Sequence, residues 1–105
     1  MERKKVKNRL FSPEQKKDYY SRRFNNKKLS FYKRDYAEWW LDGYTDFKDI
    51  SDIKYSESFL DFKKTMYRRS KSKEEKKNLR LGILRNRGYL NGLKAREQEE
   101  KRKSK

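Results

Sequence analysis

The 105-residue sequence predicts an all-α protein: a small helical domain of three to four helices with an aromatic core and disordered basic termini. Three observations carry this expectation. Helix-start signals recur, as Ser-Pro-Glu-Gln from Ser12 and Ser-Lys-Glu-Glu from Ser72. The apolar residues that follow such signals fall at three- and four-residue intervals, the period of a helix and not of a strand. Leu, Ile, Val and Phe together number only 19 whereas Phe, Tyr and Trp number 16, so rings must supply most of the buried surface.

Taken in order, Ser12 caps a first helix from Pro13 to Phe24, with Gln15 completing a capping box and Pro13 at a position where its missing N–H costs nothing. Asn25-Asn26 ends it, Asn being tolerant of the left-handed conformation. Ser30 caps a second helix from Phe31 to Leu41 or beyond, whose Tyr32, Tyr36, Trp39, Trp40, Tyr44 and Phe47 share a broad face. Trp40 sits at the centre of that face and Trp39 at its exposed edge, and Asp42-Gly43 stops or bends the helix. After a loop from Asp49 to Tyr55, Ser56 or Ser58 caps a third helix with Phe59, Phe62 and Met66 on one side. The last helix starts at Ser72 and buries Leu79, Ile83, Leu90 and Leu93. Gly82, Gly88 and Gly92 count against it, each costing about 1 kcal/mol relative to Ala, so a break at Gly88 or a hairpin around Asn86 to Gly88 stays open.

The expected organisation is a basic arm over residues 1–11, a helical domain over 12–95 and a charged tail over 96–105 that lacks apolar residues and frays. The expected core is Tyr20, Phe24, Tyr36, Trp40, Phe59, Phe62, Leu79, Ile83 and Leu90. The six-residue similarity between Ser12 to Lys17 and Ser72 to Lys77 is explained by shared capping chemistry, not duplication.

Composition removes whole classes. Without Cys or His there is no disulfide scaffold, zinc finger, thiol or imidazole chemistry. No 18-residue apolar run offers a membrane span and the charged start from Met1 to Arg9 is no secretory leader, so the expected location is the cytoplasm, nucleoid or a ribonucleoprotein. Charge is segregated: residues 1–34 carry 13 Lys/Arg against 3 Asp/Glu, residues 35–62 carry 2 against 8, and residues 63–105 carry 17 against 5. An acidic, aromatic middle can neutralise only part of its basic flanks.

A positive excess of this size fits a polyanion. Each Lys or Arg that neutralises a phosphate releases condensed counterions, and Arg adds bidentate geometry. The candidate nucleic-acid-binding residues are Arg22, Arg23, Lys27, Lys28, Lys33, Arg34, Arg68, Arg69, Lys71, Arg80, Arg85 and Arg87. Lys76-Lys77 and the terminal clusters are further basic groups, the latter acting as non-specific arms. Asp35, Glu38, Asp42, Asp46 and Asp49 would form one stripe on a continuous helix, expected to dock on the chain's own basic helices and not to hold a metal. The expected function is non-enzymatic binding to the backbone of DNA or RNA, without cofactor. The alternative is a small inhibitor or regulator of a nucleoprotein machine, phage or plasmid encoded, that binds protein through Asp35, Glu38, Trp39, Asp42 and Asp46. A helix-turn-helix is disfavoured because the would-be recognition helix turns acidic after Arg34.

Overall fold

The computed structural model describes residues 11–104, which form four helices: α1 Pro13–Asn25, α2 Phe31–Asp46, α3 Ile50–Arg69 and α4 Lys73–Lys103. The basic arm through Leu10, with its Arg3 to Arg9 cluster, lies outside the described residues. At about 1.5 Å per residue, the 31 residues of α4 set the long dimension of a body measuring 48 × 35 × 28 Å. The other three helices all pack on α4, and α1 also packs on α2.

Local capping explains most boundaries. Ser12 accepts from the Gln15 N–H at 3.1 Å and the Gln15 side chain accepts from the Ser12 N–H at 2.8 Å, which closes the expected capping box. Ser30 and Ser72 cap α2 and α4 through the N–H groups of Lys33 and Glu75. The end of α1 has a different cause from the one expected. Asn26 is extended (φ −87°, ψ 100°), with its N–H on the Arg23 carbonyl and its side chain accepting from Lys28.

The third helix begins earlier than Ser56 or Ser58, neither of which caps it. Asp49 is the N-cap, accepting from the Ser51 N–H at 2.8 Å, while Asp52 accepts from the N–H of Asp49 at 3.2 Å. This reciprocal Asp pair leaves Ser56 buried within the helix. The shift in start goes with a different buried face. Ile53, Ser56 and Leu60 face inward, whereas Phe59 and Phe62, both expected in the core, are 41% and 60% exposed.

The core is divided by α4. Against α3, the buried side chains of Ile53, Leu60, Leu90 and Leu93 pack with half-buried Phe47, Ile83 and Tyr89. Against α1 and α2, Trp40, Tyr44 and Ala95 pack with Tyr20, Tyr36 and Leu41. The rings of Tyr20, Trp40 and Tyr44 form a stacked column, with centroids 4.6 and 5.5 Å apart. Burial, then neighbouring Tyr36 and Tyr19, pushes the Tyr20 phenol up to about 12. Of the remaining expected core residues, Phe24 and Leu79 are half-buried.

Neither Asp42-Gly43 nor the glycines of α4 interrupt a helix. Instead Gly43, Gly88 and Gly92 are the places where α2 and α4 touch backbone to backbone. A Cβ on Gly92 would overlap the Trp40 carbonyl oxygen and stand 2.8 Å from the Tyr44 nitrogen, and one on Gly88 would stand 2.8 Å from the Tyr36 carbonyl oxygen. One on Gly43 would meet the Tyr89 carbonyl in the same way. The hairpin is thereby excluded, and residues 82–92 are continuous helix.

The charged tail is also helical. From Arg96 it continues to Lys103 because buried Glu99 accepts from the Tyr44 hydroxyl and lies 3.5 Å from Arg96 and 3.6 Å from Lys103. Polar anchoring does the work that missing apolar residues could not.

Two outcomes follow. Gly92→Ala should destabilise by about 3 kcal/mol or more, since backbone must move. Gly82→Ala, whose Cβ would meet only the Lys63 side chain at 3.8 Å, should instead gain up to about 1 kcal/mol of helix propensity, raising Tm by up to about 4 to 8 °C. Thermal melts of both variants check this; similar losses would refute the assignment of the contact to Gly92. Secondly, the Tyr44 hydrogen bond is the main cause holding the Glu99 carboxyl below its ordinary value. Its contribution is therefore complete above the ordinary Glu pKa and lost as pH falls through the depressed one. Tyr44→Phe should lower stability at pH 7 and flatten the acid limb of a urea-stability profile below the ordinary Glu pKa of about 4.3.

Candidate nucleic-acid interface

Helix directions decide where the charge goes. Tyr20 stacks on Trp40, and Arg34 Nε donates to the Phe24 carbonyl at 3.3 Å, so α1 runs antiparallel to α2. The Asp35–Arg85 and Tyr44–Glu99 contacts make α2 parallel to α4. Lys63 Nζ to the Gly82 carbonyl (3.5 Å) and Arg80 Nη2 to the Tyr67 hydroxyl (3.0 Å) make α3 antiparallel to α4. The α1–α2 and α3–α4 turns consequently share one end of the bundle. Residues 22–34 contribute six basic residues and no acid there, and residues 63–80 contribute nine against Glu74 and Glu75. The α2–α3 turn, from Asp42 to Glu57, is net acidic and lies at the other end.

The candidate residues divide by what they touch. Lys27, Lys28, Lys33, Arg68, Arg69, Lys71, Arg80 and Arg87 are exposed, as is Arg22, which pairs with Asp18. Arg23 is half-buried with its guanidinium 5.0 Å over the Tyr19 ring. Arg34 and Arg85 do structural duty. Arg34 satisfies a carbonyl near the end of α1, and Arg85 holds buried Asp35 with two bonds of 2.7 and 3.3 Å. Arg85 nevertheless keeps part of its guanidinium over the Trp39 ring, 5.8 Å from the centroid.

Sequence reading offers Phe31-Tyr32, beside Lys33-Arg34, as a stacking platform, but it missed Lys63 and Tyr67 as members of this region. Exposed Tyr32 shares a shallow cavity of about 390 Å³ with Lys77, Arg80 and Leu84, which joins α2 to α4 at the basic end. Tyr67 carries Arg80 at 5.8 Å and Lys76 at 5.6 Å from its ring centroid. The Arg80 hydrogen bond, then the charges of Arg80 and Lys76, hold the Tyr67 phenol below its ordinary value. Only the α3–α4 pairing brings these side chains together, 13 residues apart in sequence.

The acidic stripe is not one surface. Helix α2 ends at Asp46 and Asp49 caps α3, so the stripe is broken between them. Asp35 is buried on Arg85, and Asp46 accepts from the Tyr89 hydroxyl at 2.9 Å. Burial, and then that carboxylate, push the Tyr89 phenol up to about 12. Glu38 and Asp42 are exposed, and burial together with Asp46 raises the Asp42 carboxyl. Trp40 is the buried indole at 2% exposure, and Trp39 is half-buried. Among the described residues no three acidic, His or Cys groups gather as a metal site, and no helix is long and apolar enough to cross a membrane.

No protein-family model matches the chain, and neither the curated proteins nor the solved structures yield a match. The positive field at Tyr67 has a direct readout. Ultraviolet titration should find one tyrosine ionising earlier than the rest, and Arg80→Ala should return it to the ordinary range. An unchanged titration in Arg80→Ala would refute the contact.

Proposed function

We propose that the protein is a non-enzymatic nucleic-acid-binding protein that grips the phosphate backbone of DNA or RNA through the basic end of its bundle. The observation that carries this reading is the gathering of the two most basic turns at one end, while Asp35 is drawn inward onto Arg85 and Asp42 and Asp46 lie towards the opposite end. Such a surface concentrates a phosphate chain by attraction that is sequence-independent and salt-sensitive. The N-termini of α2 and α4 add partial positive charge and free N–H groups at the same end. Lys27, Lys28, Lys33, Arg68, Arg69, Lys71, Arg80 and Arg87 supply phosphate contacts, and Arg22 and Arg23 extend the surface along α1.

A fluorescence anisotropy titration at several salt concentrations tests the proposal. The log-log slope of affinity against salt should be roughly −4 to −8, with little difference between unrelated sequences. Replacing Arg68 and Arg69 together by Ala should weaken binding to all sequences alike and reduce the slope by about 1 to 2. Absence of binding at about 50 mM salt, where backbone attraction is strong, would overturn the proposal and leave an acidic protein surface as the partner of these residues.

A further inference from the structure

Helices α2 and α3 both pack on α4, yet their backbones do not approach one another. The space between them is a groove of about 500 Å³, floored by α4 from Gly82 to Tyr89. Trp39 of α2 stands on one wall, and Tyr55, Phe59 and Lys63 of α3 stand on the other. Gly82 leaves the floor open at the level of Lys63, whose side chain is the nearest group to that glycine.

The groove combines ring faces with the unpaired Lys63 ammonium and the Asp35-paired guanidinium of Arg85. Tyr55 and Phe59 stack with centroids 6.1 Å apart, and both rings are substantially exposed, at 65% and 41%. The Lys63 ammonium lies 4.6 Å from the Phe59 centroid. Among the described residues it has no carboxylate partner, and its polar contact is the Gly82 carbonyl at 3.5 Å. Burial, and then the nearby Arg85 charge, lower the Lys63 pKa, even though Arg85 is itself paired with Asp35. Asn86 is fixed by donating to the Ser56 carbonyl and hydroxyl at 3.0 and 3.3 Å, and its own carbonyl oxygen has no donor among the described residues.

We propose that this groove receives unpaired bases of a single-stranded nucleic acid, with the adjoining phosphates carried by Lys63 and Arg85 towards the basic end. The inference rests on the nucleic-acid reading above and names its substrate class. Bases stack on exposed aromatic faces irrespective of sequence, whereas a duplex keeps its base faces within its own stack. The path is continuous. Lys63 and Tyr67 lie four residues apart, on one face of α3, and Tyr67 leads to Arg80 and Lys76. At the opposite mouth Asp52 presents a carboxylate that accepts from the Lys48 and Asp49 N–H groups, which repels phosphate and fixes the direction in which the strand leaves. An apolar helix seated here would bury the Lys63 ammonium without an acid to meet it, which is strongly unfavourable.

The test uses the full chain with oligothymidylate and oligouridylate of about 12 nucleotides, a length typical of single-strand sites, and a hairpin duplex of equal charge. Anisotropy and tryptophan emission are read together. The single strands should bind at least about tenfold more tightly than the duplex and quench emission, and the quench should disappear in Trp39→Phe because Trp40 is sealed in the core. Tyr55→Ala and Phe59→Ala, both at exposed rings, should keep the parent's circular dichroism. Each should weaken single-strand binding by about 5- to 100-fold, the range for losing one stacking ring, with an unchanged salt slope. Lys63→Gln should reduce the slope by about 1. Equal affinity for duplex and single strand, or groove variants that bind like the parent, would overturn the groove assignment while leaving backbone binding intact. Loss of all nucleic-acid binding in the parent would remove both. Quenching of Trp39 by an amphipathic peptide but by neither oligonucleotide would give the groove to a protein partner.

Discussion

The backbone contact between α2 and α4 is the constraint on which the other packing depends. Helix axes normally stand about 8 to 10 Å apart because side chains separate them; at Gly43, Gly88 and Gly92 there are none to do so. Close approach brings carbonyl oxygens against the partner helix, where weak Cα–H donors lie. It also lets polar side chains pin both ends of the crossing, through Asp35 on Arg85 and Tyr44 on Glu99. These two pins require α2 and α4 to run parallel. Given short turns before α2 and α4, α1 and α3 then return antiparallel, and both basic turns fall at one end.

Much of this was legible in local chemistry. The Ser12, Ser30 and Ser72 caps, the aromatic face of α2 and the burial of Trp40 each follow from a few neighbouring residues. What was illegible depends on a partner helix. The propensity scale counts Gly88 and Gly92 as defects because it prices an isolated helix; it has no entry for a backbone packed against another backbone. Helix α3 carries two competing stripes, Ile53-Ser56-Leu60 and Tyr55-Phe59-Phe62-Met66, and ring size favours the second. The first is buried because its smaller side chains fit against Leu90 and Leu93. The tail beyond Arg96 was judged by its lack of apolar residues, whereas Glu99 is held by polar contacts from a helix more than 50 residues earlier.

The candidate interface was half legible for a similar reason. Sequence counts identify excess charge but not which arginines are already engaged. Arg34 and Arg85 proved to be partly structural, and the acidic stripe that supported a protein-binding alternative lost Asp35 and Asp46 to internal partners. Conversely, Lys63 faces a groove only because α2 and α3 flank α4 without meeting. The groove and the glycine contact are linked: the close α2–α4 crossing puts Trp39 within reach of Tyr89, with ring centroids 6.3 Å apart, and so creates the wall opposite Phe59.

Stability alone does not account for the placement of the basic residues. Arg22, Arg23, Arg68 and Arg69 sit in the last turns of α1 and α3, where cations complement the helix dipole. Lys33 lies in the opposite position: the first turn of α2 carries that cation and no acid, although a negative side chain is the stabilising choice there. Helix α4 also begins with Lys73 and has Lys76 and Lys77 near its start, offset only by Glu74 and Glu75. These residues add mutual repulsion to an unfavourable dipole term, and salt screens it only beyond about 8 to 10 Å. The dipole rule is also broken at the far end of α2, whose last turn carries Asp46 and no cation, but at the basic end the departure is by cations. Such local departures are expected where a surface is arranged for a ligand, and a polyanion is the ligand that would relieve both the repulsion and the dipole term together.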